Sequence, residues 1–320
     1  MDRARPRGRL YQRARQPFQW LPPRNVYRTG LRVVITAPRQ HWFDVAARGP
    51  EPRRRLAWYE WGDPSNPRVA LCVHGLSRNA RDFDWLADAL SATHRVIAID
   101  CPGRGLSDRL KETASYQILT YEADALALIG ALGIGSVDWI GTSMGGILGM
   151  LIGAGKQAGL IRRLVLNDIG PYLPGKAMDR VGTYVGMAPR FATLDDAYAY
   201  QAGVNADWAN MSEAQRRHIT THAARALPGG GYEIHYDPRI GDYLHKGPVP
   251  DLVIWERYDA VRAPTLVLRG TLSDILLPET AADMTRRGPR ATLVEVPGIG
   301  HTPSLMTERQ VEAVNRFLAT

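Results

Sequence analysis

From about His41 onward the chain alternates short apolar runs with segments of helical period, and few architectures tolerate that order. Residues 69–73, 96–99, 164–166 and 265–268 carry no charge, and 137–140 is apolar but for Asp138, as strands buried on both faces are. Between them, 84–90, 121–132 and 147–152 have helical spacing. Residues 42–47 and 54–61 read as an antiparallel opening pair joined at Gly49-Pro50. Regular strand–helix alternation with apolar strands predicts an α/β fold, a mostly parallel doubly wound sheet with helices on both faces. The pattern stops after Gly170 and resumes at Pro264, followed by a helix after Pro278, a strand at 292–296 and a last helix capped by Thr307 with Gln310 three residues on.

The interval 171–260 is different. Helix openings stand at Thr193-Leu194-Asp195-Asp196 and at Ser212-Glu213-Ala214-Gln215, the second helix closed by Pro228-Gly229-Gly230-Gly231, and no strand period extends the sheet. The expectation is a helical cap inserted over the carboxyl edge of the sheet, where open α/β sheets bind ligands. The core is then 41–170 plus 261–320, preceded by a basic extension at 1–40.

Charge is where the sequence misleads. The net +8 of the whole chain comes from residues 1–55, which hold 14 Arg, no Lys and 3 acids; the remainder has 26 basic against 29 acidic residues, net −3. A nucleic-acid groove needs its basic residues on the folded face, so nucleic acid is not an expected partner. Residues 1–28 carry eight Arg and Pro at 6, 17, 22 and 23 without apolar periodicity, and are expected to be disordered. They contain no apolar stretch of the kind a secretory signal needs. The longest uncharged stretch, 139–155, is 17 residues with six Gly, short of the ~20 apolar residues of a membrane span. No membrane association is expected. With only Cys72 and Cys101, no disulfide framework carries the fold, and a reducing, cytoplasmic setting fits.

The glycine-rich stretch has a chemical reading. Gly141-Thr142-Ser143-Met144-Gly145 is a G-x-S-x-G between a strand ending near Ile140 and a helix beginning near Gly146. A serine hydroxyl needs a base to take its proton, and the base needs an acid to fix its tautomer. In chain order Ser143 is followed by Asp274 in Leu272-Ser273-Asp274, after the strand 265–269, and by His301 in Gly300-His301-Thr302, after the next strand. Asp168, at the end of the strand before the insert, is the rival acid; its expected role is to accept backbone N–H bonds at the junction. An oxyanion needs preorganised donors, and the N–H groups of Met144 and of Leu76, in His74-Gly75-Leu76-Ser77, are the candidates. His74 is assigned to shaping that loop and not to catalysis.

These residues, with the loop 100–108 (Asp-Cys-Pro-Gly-Arg-Gly-Leu-Ser-Asp), resemble the α/β-hydrolase superfamily over 41–320. The resemblance implies hydrolysis through an acyl-enzyme at a Ser-His-Asp triad, with no metal or organic cofactor. Ser143, where dehalogenase and epoxide hydrolase branches place Asp, points to the serine-based relatives. The expected activity is cleavage of small to medium carboxylic esters. C–C bond hydrolysis or lactone opening on the same triad, or a non-catalytic ligand-binding scaffold, are the alternatives, and oligomeric state is open.

Other motifs are weaker. Gly103-x-Gly105 has Asp108 where a third glycine would stand, and Gly133-x-Gly135 precedes a strand, so neither is a dinucleotide fingerprint. His218 and His222, four apart, lack the Glu of a zincin and are expected on a solvated face of the insert.

Overall fold

In the computed structural model, residues 35–320 are described; the Arg-rich stretch 1–34, and with it most of the predicted disordered extension, lies outside them. Eight strands form one sheet in the spatial order Arg39–Val45, Arg54–Trp61, Arg95–Ile99, Val69–Val73, Val137–Thr142, Ile161–Asn167, Thr265–Gly270, Thr292–Val296. The first two strands pair antiparallel, the second is antiparallel to the third, and every later pair is parallel. This is the α/β-hydrolase fold expected from the alternating sequence. Apolar runs become central strands because both faces are covered: Val69–Val73 is buried at every residue. One face packs Trp139, Leu148 and Leu164 with Tyr121 and Leu128; the other packs Phe83, Leu86 and Leu90 with Val314 and Leu318.

The last helix, Glu308–Ala319, starts where expected, but the Thr307 side chain accepts no capping bond. Gln310 turns inward instead: its amide oxygen accepts from the Leu305 N–H at 2.7 Å and its Nε2 donates to Asp207 at 2.9 Å. Satisfying a buried carboxylate outweighs an exposed cap.

The insert carries the two expected helices, Leu194–Val204 and Glu213–Ala223, each opened by a complete capping box, Thr193 with Asp196 and Ser212 with Gln215. It also has strands that periodicity did not announce. Arg190–Phe191, Tyr232–Ile234 and Ala224–Ala226 make a three-stranded sheet, and Tyr172–Leu173 pairs with Leu252–Val253. Pro228–Gly231 therefore does not close the second helix, which ends at Ala223; it turns the Ala224–Ala226 strand back onto Tyr232–Ile234. Among the described residues no helix is long and apolar enough to cross a membrane.

Candidate active site

Ser143 sits between the central strand Val137–Thr142 and the helix Met144–Ala154 with φ 49° and ψ −111°, a conformation side chains rarely adopt. Two contacts hold it there. Its N–H donates to the Asn167 carbonyl of the adjacent strand at 3.0 Å, and its carbonyl accepts from Gly146 N–H at 2.8 Å. The strain lifts the hydroxyl out of the sheet edge into a cavity of about 130 Å³ between the core and the insert.

His301 approaches from the loop after Thr292–Val296. Its Nε2 lies 3.0 Å from Ser143 Oγ and its Nδ1 2.6 Å from Asp168 Oδ2. A carboxylate only accepts, so Nδ1 carries the proton and Nε2 is left to accept from the serine hydroxyl. Asp168 is fully buried and held from all sides: Oδ1 accepts from Gly270 N–H at 2.9 Å and Oδ2 accepts from Ser273 Oγ at 2.6 Å.

The expected partner, Asp274, is not beside His301 in a hydrogen bond. It takes a two-pronged pair with Arg180 at 2.5 and 2.7 Å, 46% exposed. The Arg180 guanidinium holds its carboxyl below the usual range despite the opposing effect of burial. The cause is local. Ser273, one residue earlier, points inward, donates to Asp168 and accepts from the N–H groups of Ile275 and Leu276 at 3.2 and 3.1 Å, so the turn sends its neighbour outward. Asp168 instead follows directly on Asn167, the strand end beside the elbow, and a φ of 55° aims its carboxylate across to His301. The loop expected to supply the acid instead places Ser273 against Asp168.

The loop 74–77 faces Ser143 closely enough that a Cβ on Gly75 would stand 3.7 Å from Ser143 Cβ. His74 defines the Gly75–Leu76 peptide plane: Nε2 accepts from Cys101 N–H at 3.0 Å, so Nδ1 bears the proton and donates to the Gly75 carbonyl at 2.7 Å. That carbonyl shares its peptide with the Leu76 N–H. Arg104, which the sequence reading did not single out, is fully buried, donates to the Leu76 and Pro102 carbonyls at 2.8 Å each, and stacks over Tyr121 at 4.7 Å. Met144 is the first residue of its helix, so its N–H has no partner one turn back.

Burial pushes His74 down to about 3, so the ring is neutral in the folded protein. A histidine in the unfolded chain takes up a proton below pH ~6.5. The stability His74 contributes as a neutral ring is thus complete above that pH and is lost as pH falls toward 3. Urea unfolding at pH 7 and pH 5 is expected to show the wild type losing about 2 kcal/mol more than His74→Gln over that interval. Equal losses would mean that His74 is already charged in the folded state.

His218 and His222 do not face solvent as expected; they turn toward the core helix Asp84–Leu90. The His218 ring, 11% exposed, places Nε2 2.9 Å from the Arg81 carbonyl and 3.4 Å from Asp84 Oδ2, and the two imidazoles stack edge-on at 4.4 Å. Candidate ligand atoms of Asp84, His218 and His222 lie within 4.8 Å of one another. Both oxygens of Asp84 are nevertheless engaged by the Arg81 guanidinium at 2.5 to 3.1 Å, a full positive charge on the carboxylate a metal would need.

With this geometry in view, the similarities to known proteins fall into place. The alpha/beta hydrolase family matches residues 70–317. A 3-hydroxybutyrate-oligomer hydrolase of Cupriavidus necator is 39% identical over 277 residues, 84% of this chain and 94% of that protein. Among solved structures, one from Rickettsia typhi superposes with a TM-score of 0.83 at 30% identity, covering 88% of this chain and 99% of its own. An alpha/beta hydrolase from Novosphingobium aromaticivorans gives 0.77 at 35%, covering 88% and 98%. The chain belongs to the alpha/beta hydrolase family. Within it, the chain is a hydrolase.

Proposed function

We propose that the protein is a serine carboxylic ester hydrolase with Ser143 as nucleophile, His301 as base and Asp168, in place of Asp274, as the orienting acid. The observation that carries this reading is His301 bridging Ser143 Oγ at 3.0 Å and Asp168 at 2.6 Å on the wall of the cavity. The Ser143 proton passes to His301 Nε2 as Oγ attacks the ester carbonyl, and Asp168 stabilises the imidazolium without taking its proton. The N–H groups of Leu76 and Met144 hold the oxyanion; His301 then protonates the departing alcohol. Water repeats the sequence on the acyl-enzyme and releases the acid.

The insert acts as a cap over this site. A cavity of about 130 Å³ takes a group close to the size of benzene, so the substrates are esters of short acids. The similarity to the Cupriavidus necator protein supports short hydroxyacid oligomers as a substrate class. A small-molecule ester is the expected partner, and the acidic body of the chain disfavours nucleic acid.

The test is intact-protein mass after exposure to a fluorophosphonate. The expected result is one adduct, absent in Ser143→Ala, with p-nitrophenyl butyrate hydrolysed faster than the octanoate. Labelling that survives the substitution would sink the assignment of the nucleophile, and no labelling with no turnover would leave a ligand-binding scaffold. Cleavage of a C–C bond instead of an ester would show directly in the products.

A further inference from the structure

We infer that Arg78 is a carboxylate anchor, so that the preferred substrates are anionic esters whose leaving alcohol is itself a short hydroxyacid with a free carboxylate. The inference rests on the ester hydrolase reading above and narrows it.

Among the described residues lining the cavity, Arg78 is the only Lys or Arg. It stands on the loop that carries the proposed oxyanion donor, two residues beyond Leu76, and across Gly75 from the nucleophile: a Cβ on Gly75 would lie 3.7 Å from Ser143 Cβ and 3.8 Å from Arg78 Cγ. The guanidinium is fixed before substrate arrives. Nε and Nη2 donate to the two oxygens of Asp82 at 2.7 Å each, and Nη1 donates to Gln201 Oε1, on the insert helix Leu194–Val204, at 3.0 Å. These bonds use three of the five N–H donors of an arginine. Two remain, one on each terminal nitrogen, which is the pair a carboxylate accepts side by side.

The other charges at the cavity do not oppose this. Asp82 is matched by Arg78 itself. Asp207 is 1% exposed and accepts from Ser304 N–H, Gln310 Nε2 and Asn210 Nδ2. Gln201 is held in place by Asn205 Nδ2 at 2.9 Å, so the fork cannot swing to meet a wrongly placed group without breaking a cap–core contact. In an ester of a 3-hydroxyacid the carboxylate carbon of the alcohol portion is four bonds from the reacting carbonyl, on the order of 5 Å. Gly75, lacking a side chain, leaves the space between Ser143 and the base of the Arg78 side chain open to such a group, and a methyl ester or amide of the same acid has no charge and one carbonyl acceptor in place of two equivalent carboxylate oxygens.

The experiment compares linear 3-hydroxybutyrate dimer as the free acid with its methyl ester, each followed by product formation. In the wild type, kcat/KM for the acid is expected to exceed that for the methyl ester by about 10- to 100-fold. In Arg78→Met the ratio should fall to near one. Arg78→Lys keeps a cation for Asp82 but loses the fork, so it should retain only part of the ratio and guards against a variant that fails to fold. Independently, free 3-hydroxybutyrate should inhibit p-nitrophenyl butyrate hydrolysis by the wild type competitively, and its methyl ester much less. Equal kcat/KM for acid and methyl ester in the wild type, or a ratio unchanged in both variants, overturns the anchor. If Ser143-dependent hydrolysis persists in that case, only the anchor fails; if it is absent, the ester hydrolase reading fails with it.

Discussion

Ser143→Ala is expected to lower kcat on p-nitrophenyl butyrate about 10⁶-fold, and Asp168→Asn about 10⁴-fold, whereas Asp274→Asn should stay within a few-fold of wild type. The middle value is the informative one. Asn at 168 keeps the shape and can still accept from Gly270 N–H, now 2.9 Å from Oδ1, but it presents an amide where His301 Nδ1–H needs an acceptor. The imidazole is then free to take the other tautomer, with its proton on the nitrogen facing Ser143, and the developing imidazolium loses its counter-charge. Asp274→Asn removes a two-pronged pair with Arg180 in which both side chains are 46% exposed, and exposed pairs contribute little to stability. Steady-state kinetics of the three variants, with circular dichroism to confirm folding, checks the set. A large loss in Asp274→Asn beside a small one in Asp168→Asn would reverse the assignment.

That contrast shows where the sequence stops being legible. Both aspartates satisfy the order serine, acid, histidine, and both follow a strand of the same sheet. What separates them is the direction of one turn. Ser273 and Asp274 are neighbours, and the turn directs Ser273 inward to Asp168 and Asp274 outward to Arg180. Spacing along a chain carries no record of that choice, which is decided by contacts to residues more than 90 positions away. The strands, by contrast, were readable because burial on both faces leaves continuous apolar runs, and the predicted run 69–73 is the observed strand Val69–Val73. The elbow was readable for a related reason: its glycines are imposed by local geometry.

The pieces that escaped are those held together by tertiary contacts alone. Strands of two or three residues in the insert are too short to show a period, and the Pro228–Gly231 run marked a turn without saying what it joined. Arg78 and Arg104 are single basic residues in loops, and composition treats a lone arginine as surface. One is fully buried against the loop beside the serine and the other reaches a glutamine 123 residues away. A basic cluster is not required to select an anion: one guanidinium lining the cavity, fixed by Asp82 and Gln201, is enough.

The second large effect is on folding. Gly145→Ala is expected to destabilise the protein by at least about 4 kcal/mol, enough to leave much of it insoluble or unfolded on expression. A Cβ at this position would stand 2.0 Å from the Val73 carbonyl oxygen, 2.6 Å from its carbon and 3.0 Å from Val73 Cβ. The obstacle is the backbone of a central strand that is hydrogen-bonded on both sides, so it cannot retreat as the end of a flexible side chain could. Moving the helix instead would break the 2.8 Å bond from Trp139 Nε1 to the Gly145 carbonyl. It would also shift Ser143, two residues earlier. Gly141 is under the same constraint from the other side, since a Cβ there would meet the Gly145 carbonyl group at 2.3 Å. The two glycines therefore let strand and helix approach closely enough to hold the serine at positive φ, and the motif is as much a packing requirement as a catalytic one. Gly130→Ala supplies the control: that glycine lies exposed in the helix Ile118–Ala131 with nothing within 4 Å of its missing Cβ, and the substitution should stabilise by up to about 1 kcal/mol. Thermal unfolding of both variants decides it, because a Gly145→Ala protein that melts within a few degrees of wild type would mean that the strand and helix can separate without cost.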